Sequence, residues 1–186
     1  MDSSDLAHDI EEEVLEIISV IDAVTNSKFF VIGAIARDIS MFHINGFDLS
    51  ERVTNDIDFA ICVKDWAVFT EVKSILISKY GFIDEADPVH PQRLISHKGI
   101  EVDFLPFGLI STDNDIRWPG SDSVMSVAGF KDAFKSRFTI DYSSFAVNVV
   151  SVEMFVALKL ISWNDRTTRQ KDIKDIVYTI QKGPTA

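Results

Sequence analysis

The chain has 186 residues, 46% hydrophobic and 25% charged, with a formal net charge of −11. That size and balance fit one soluble domain over residues 1–186, with fourteen Phe available for its core. The charge argues against a broad nucleic-acid surface, no apolar run reaches the ~20 residues of a membrane span, and the acidic start Met1-Asp2-Ser3-Ser4-Asp5 lacks the order of a secretion signal.

In chain order, Ser4 to Val24 reads as an amphipathic helix. Leu6, Ile10, Val14, Ile17, Ile18 and Ile21 recur at three- and four-residue steps, and Ser3 or Ser4 can cap it. Asn26-Ser27 breaks it. Lys28 to Gly33 is a short apolar strand, and Ala34 to about His43 a helix. Asn45-Gly46 and the polar stretch from Asp48 to Asn55 form a loop, and Asp56 to Val63 the next strand. Asp65 caps a helix from Trp66 to about Tyr80. Arg93 to Ser96, the turn His97-Lys98-Gly99 and Ile100 to Phe107 make a β-hairpin. Ser111 to Asp122 reads as a connecting loop, and Ser123 to Tyr142 stays ambiguous between short strands and a helical turn. Ser151 opens an apolar helix to about Trp163, with Glu153 as a capping partner. Thr167 begins a last helix ending near Gln181, where Gly183-Pro184 stops it. The organisation is an N-terminal helix within 1–26, a mixed α/β core over 28–150 and C-terminal helices over 151–182.

Two strands carry the chemistry. Side chains alternate between faces of a strand, so Asp56 and Asp58 share one face while Ile57, Phe59, Ile61 and Val63 point to the other. Asp103 likewise opposes Val102 and Phe104, with Glu101 on its face as a second choice. If the strands are neighbours, three carboxylates converge, and such a cluster repels itself unless a cation or retained protons relieve it. Hard divalent ions with oxygen ligands, Mg²⁺ above all, are the usual answer. An Asp-x-Asp pair also occurs in sugar-nucleotide glycosyltransferases and in aspartate phosphatases. There it follows an apolar strand, whereas here it leads one.

The glycine at the strand–helix junction, Gly33, lets a backbone approach a ligand, and the helix start offers N–H groups to phosphate oxygens. Arg37 and Asp38 follow, either as an ion pair or with Arg37 turned toward a phosphate. Acids without Lys or Arg fill Asp2 to Asp22, while Lys159, Arg166, Arg169, Lys171 and Lys174 gather near the end. A local basic site of this kind suits a small polyphosphate, although a solvated helix face explains it as well. Asp172 and Asp175 read as solvated ion-pair partners. Cys62 is the only cysteine, so no internal disulfide forms; a reducing cytoplasm fits, and the residue reads as a small packed hydrophobe.

Taken together, these residues resemble the nucleotidyltransferases of the DNA polymerase β-like fold, whose signature is a strand, a glycine turn, a helix, Asp-x-Asp and a later third acid. Gly33-Ala34, Asp56-x-Asp58 and Asp103 follow that order. Gly33 to Asp38 is similar to the Gly-Gly-x-Val-Arg-Asp turn of tRNA-end-adding enzymes. Over nearly everything after Lys28, the chain resembles bacterial AbiEii-type abortive-infection toxin nucleotidyltransferases. The segments that match are Arg52 to Ala60, Asp65-Trp66, Val102 to Gly108, Lys159 to Arg166, and Lys171-Asp172 with Asp175. Two departures are that Ala34 stands where Gly or Ser is usual, and that the interval from Gly33 to Asp56 is long. The chain also ends soon after its last helix, without the large C-terminal region of longer relatives.

The resemblance implies an α+β nucleotidyltransferase-like fold, a mixed sheet flanked by helices. It implies Asp56, Asp58 and Asp103 as metal ligands and catalytic residues for Mg²⁺ (or Mn²⁺), with an NTP such as ATP as substrate. Gly33, Ala34, Arg37, Lys159 and Lys171 are the implied nucleotide contacts. The acceptor would be a hydroxyl on an RNA end, a protein or a small molecule, in a toxin–antitoxin or resistance setting. A catalytically degenerate nucleotide-binding or protein-interaction domain is the alternative, and a site completed by a second copy or a partner protein is a third reading.

Overall fold

In a computed structural model of the protein, the described residues are 3–45, 56–85, 90–142, 145–168 and 170–182. The expected cap at Ser3 or Ser4, the loop from Gly46 to Asn55 and the Gly183-Pro184 stop lie outside the residues and side chains described.

A first helix, α1 (Ser3–Thr25), is followed by β1 (Phe29–Ile32), α2 (Gly33–Asn45), β2 (Asp56–Val63) and α3 (Trp66–Tyr80). The hairpin strands β3 (Arg93–Ile95) and β4 (Glu101–Gly108) come next. After them stand β5 (Asp115–Arg117), β6 (Val124–Ser126), α4 (Phe130–Ser136), β7 (Phe138–Tyr142) and β8 (Phe145–Val149). Two helices, α5 (Val152–Asp165) and α6 (Gln170–Lys182), close the chain.

Six strands form one sheet in the order β3-β4-β2-β1-β8-β7, and β5 pairs with β6 in a small second sheet. The main sheet is mixed, as expected: β2 runs parallel to β4 and β1 to β8, while the β1–β2, β3–β4 and β7–β8 pairs are antiparallel. Val14, Ile17, Ile18 and Ile21 of α1 are buried, as their spacing predicts. They join Phe29, Ile57, Phe59, Ile61, Val102 and Phe104 in the core. Phe59 and Phe104 stack across the parallel pair with ring centres 6.0 Å apart.

Local signals account for most boundaries. Asn26 and Ser27 take positive φ, ending α1. Asp65 caps α3 by accepting from the Val68 N–H, and Gly81 closes it in the left-handed conformation. The Ser151 hydroxyl accepts from the Met154 N–H at the start of α5, so the cap is made there rather than through Glu153, which stands one residue short of the capping-box position.

Two expectations need correction and one ambiguity is resolved. The stretch from Ser111 to Asp122 is not only a loop, because β5 lies in it and pairs with β6. The ambiguous stretch resolves into β6, α4 and β7, the last in a hairpin with β8. The final helix starts at Gln170 rather than Thr167, since α5 ends in an irregular backbone at Arg166.

Candidate active site

The parallel pairing of β2 and β4 puts Asp58 opposite Asp103 and Asp56 opposite Glu101. Ile57, Phe59, Val102 and Phe104, one residue out of phase, are fully buried on the other face. Apolar burial of that face fixes the register, and a slip of one residue would turn every acid into the core. The four carboxylates therefore share one surface at the start of two adjacent strands.

Gly33 is the next component. Ile32 pairs with Asp58 across β1 and β2, and α2 begins at Gly33 immediately afterwards. Gly33 has φ +74°, and a Cβ built there would lie 2.0 Å from the Asp58 Oδ2. A side chain would thus occupy the place of the Asp58 carboxylate, while the N-terminal amides of α2 open beside it.

Burial first, then the charges of Asp103 and Asp56, push Asp58 up from 3.8 to about 7, with Lys159 and Lys171 pulling the other way. Lys171 reaches this face from α6, its Nζ 3.4 Å from the Asp56 Oδ2. A residue that sequence reasoning passed over, Arg93, approaches from the other side. Its Nε and Nη2 donate to the two oxygens of Asp103 at 2.8 and 3.1 Å, and its Nη1 pairs with Glu101. The hairpin turn held the signal, since its register sets Arg93 against Asp103 and Ile95 against Glu101.

Lys159, on α5, lines the cleft that opens over this face. Its Nζ is 2.9 Å from both the Asp172 Oδ1 and the Asp175 Oδ2 of α6, and the Ser162 hydroxyl donates to Asp172 at 3.1 Å. Asp172 and Asp175 are each only 1% exposed, so they are buried partners of Lys159 rather than solvated acids. Arg37 also differs from the phosphate-facing expectation. Its guanidinium is fully buried, paired with Asp38 at 2.5 Å and 3.7 Å from Asp175, between the rings of Phe155 and Tyr178. It ties α2 to α5 and α6 and does not face the carboxylates. Cys62 packs partly buried against the core, its thiol pushed up by burial, which is the state of a hydrophobe and not of a nucleophile.

A cleft of ≈ 940 Å³ opens over this region. Gly33, Asp58, Arg93, Asp103, Lys159 and Ser162 form its polar wall, and Trp118, Met125, Phe130, Leu158 and Ile161 its apolar one. Asp56, 38% exposed, and Lys171, 53% exposed, stand at its margin. Among the described residues no group of three His, Cys, Asp or Glu is arranged to hold a metal ion as it stands. The donor chemistry nevertheless fits a hard cation. Burial first, and then the charges of Asp103 and Asp56, make an ionised Asp58 costly, and a divalent ion among these oxygens relieves both.

A glycine turn into a helix, an Asp-x-Asp strand and a parallel strand bearing the third acid define a nucleotidyltransferase-like α+β fold. Residues 21–186 match the family described as "Nucleotidyl transferase AbiEii toxin, Type IV TA system", and the chain belongs to that family. Among solved structures it is similar to an antigenic nucleotidyltransferase-like protein from Paracoccidioides brasiliensis. That likeness has a TM-score of 0.45 at 14% identity, over 89% of this chain and 76% of that one. No curated protein matches the chain.

Proposed function

We propose that the protein transfers a nucleoside monophosphate from an NTP to a hydroxyl acceptor, with Asp56, Asp58 and Asp103 holding Mg²⁺ (or Mn²⁺). The observation that carries this reading is the parallel register that sets Asp58 against Asp103 beside Gly33 and the start of α2. When bound, the metal supplies neutralisation of the triphosphate and acidification of the acceptor hydroxyl.

The chain's own residues do the rest. The amides of Gly33 and Ala34 bind phosphate oxygens at the helix start. Lys171, beside Asp56, adds positive charge at the margin of the cleft. Lys159, paired with two buried aspartates, adds more from the cleft wall; one of its N–H groups is taken by Asp172. The acceptor oxygen attacks the α-phosphorus in line, its proton passes to a carboxylate oxygen of Asp103, and the bond to pyrophosphate breaks. Positioning and charge stabilisation are the protein's main contributions. The acceptor is an RNA end, a protein or a small molecule, and the setting is that of a toxin with a partner protein. One residue favours the alternative, a degenerate nucleotide-binding domain: Ala34 has no hydroxyl to offer a phosphate.

The test is transfer of label from each NTP radiolabelled at the α-phosphate, with Mg²⁺, to RNA, protein and small-molecule pools. The expected result is transfer by the native chain and none by the Asp56→Ala/Asp58→Ala variant. Nucleotide binding without transfer from any NTP would favour the degenerate domain.

A further inference from the structure

Arg93 has an unusual position for a cation. It stands on β3, a strand of three residues at the edge of the main sheet, in register with Asp103. Its planar fork covers both oxygens of Asp103, while its third nitrogen takes Glu101. Side-chain exposures of 26% for Arg93 and 16% for Asp103 place the pair in the wall of the cleft and not in the core. Bidentate contacts of this kind are among the stronger ion pairs because geometry and charge act together.

We propose that Arg93 is the resident counter-cation of the third carboxylate: it neutralises Asp103 and Glu101 in the metal-free protein and yields Asp103 when a divalent cation binds. This inference rests on the reading of Asp56, Asp58 and Asp103 as a metal site. The site's affinity is then set by a competition, because the ion must displace a guanidinium from the oxygens it needs. Asp58 stands opposite Asp103 and Asp56 opposite Glu101, so these carboxylates repel one another without a cation, and the guanidinium of Arg93 on Asp103 and Glu101 offsets that repulsion in the empty site. β3 is the outermost strand of the main sheet, and its outer edge is bonded to Ile83 through Ile95, so the exchange takes place in the Arg93 side chain with the backbone held. Arg93 is a positioning residue in this scheme, acting through Asp103.

The test is titration of the full chain with Mn²⁺ alone, followed by the electron paramagnetic resonance of the free ion, at one fixed pH for all variants. Native protein is compared with Arg93→Met, Arg93→Lys and Arg93→Met/Asp103→Asn, with thermal midpoints recorded to show that each is folded. The expected result is Mn²⁺ bound about tenfold more tightly by Arg93→Met, the loss expected when a charged hydrogen-bonded competitor is removed. Arg93→Lys falls between, and the gain disappears when Asp103→Asn is added. Native protein that binds Mn²⁺ with an affinity unchanged or weakened in Arg93→Met overturns the role of Arg93 alone. A gain that survives Asp103→Asn overturns it too. Absence of Mn²⁺ binding in every variant overturns it together with the metal-site reading.

Discussion

Asp58 and Asp103 stand directly opposite each other on parallel neighbouring strands, and a glycine without room for a Cβ stands against the Asp58 carboxylate. This arrangement gathers negative charge where the fold could have avoided it. Apolar side chains on the far face of β2 and β4 hold the strands in register, so the acids cannot separate without losing core burial.

One consequence is a pH-dependent cost. Because Asp58 titrates near 7 rather than 3.8, the folded chain keeps a proton there that the unfolded chain releases. The contribution of this proton is complete below the ordinary carboxylate range and fades as pH rises through 7. Asp58→Asn should therefore be more stable than the native chain at about pH 8, by a few kcal/mol at most, and nearly equal to it at about pH 4. Urea denaturation at the two pH values measures this.

The network beside the site should behave differently. Lys159, Arg37 and the two 1%-exposed aspartates compensate one another inside the protein. Asp175→Ala leaves buried positive charge without its carboxylate and should cost about 3–5 kcal/mol. Lys171→Ala breaks only a half-exposed contact with Asp56 and should cost less than about 1 kcal/mol. Denaturation midpoints of the two variants test the contrast.

Gly33→Ala tests the close approach at the helix start. A methyl group at φ +74° strains the backbone and drives the Asp58 carboxylate from its place. A loss of about 1–2 kcal/mol in stability is expected. Mn²⁺ affinity, read by the same resonance titration, should fall with it.

What the chain reveals by itself depends on how local each signal is. The two-residue period of β2 and β4 shows which acids share a face, and Asp65 with Gly81 marks both ends of α3 without any tertiary information. Adjacency of β2 and β4 is a long-range fact that no spacing contains. The three-residue strands β5 and β6 are too short to show a period. Charged letters misled most. Arg37, Asp172 and Asp175 look like surface residues, and packing of α2, α5 and α6 buries them. A signal did exist, because Asp172, Asp175, Ile176 and Thr179 form one i, i+3, i+4, i+7 stripe, and all four are buried. Arg93 was visible only by extending the hairpin register two residues beyond Ile95, to its partner Asp103.

The central claim is that the acids of β2 and β4 jointly hold a divalent cation under a nucleotide. The most direct measurement is anomalous diffraction at the manganese edge from crystals soaked in Mn²⁺ and a non-hydrolysable NTP. The account predicts a peak between the Asp58 and Asp103 carboxylates, with Asp103 released from Arg93 and the triphosphate at the start of α2. Nucleotide bound in the cleft with no manganese at Asp58, or manganese bound away from both strands, would contradict it.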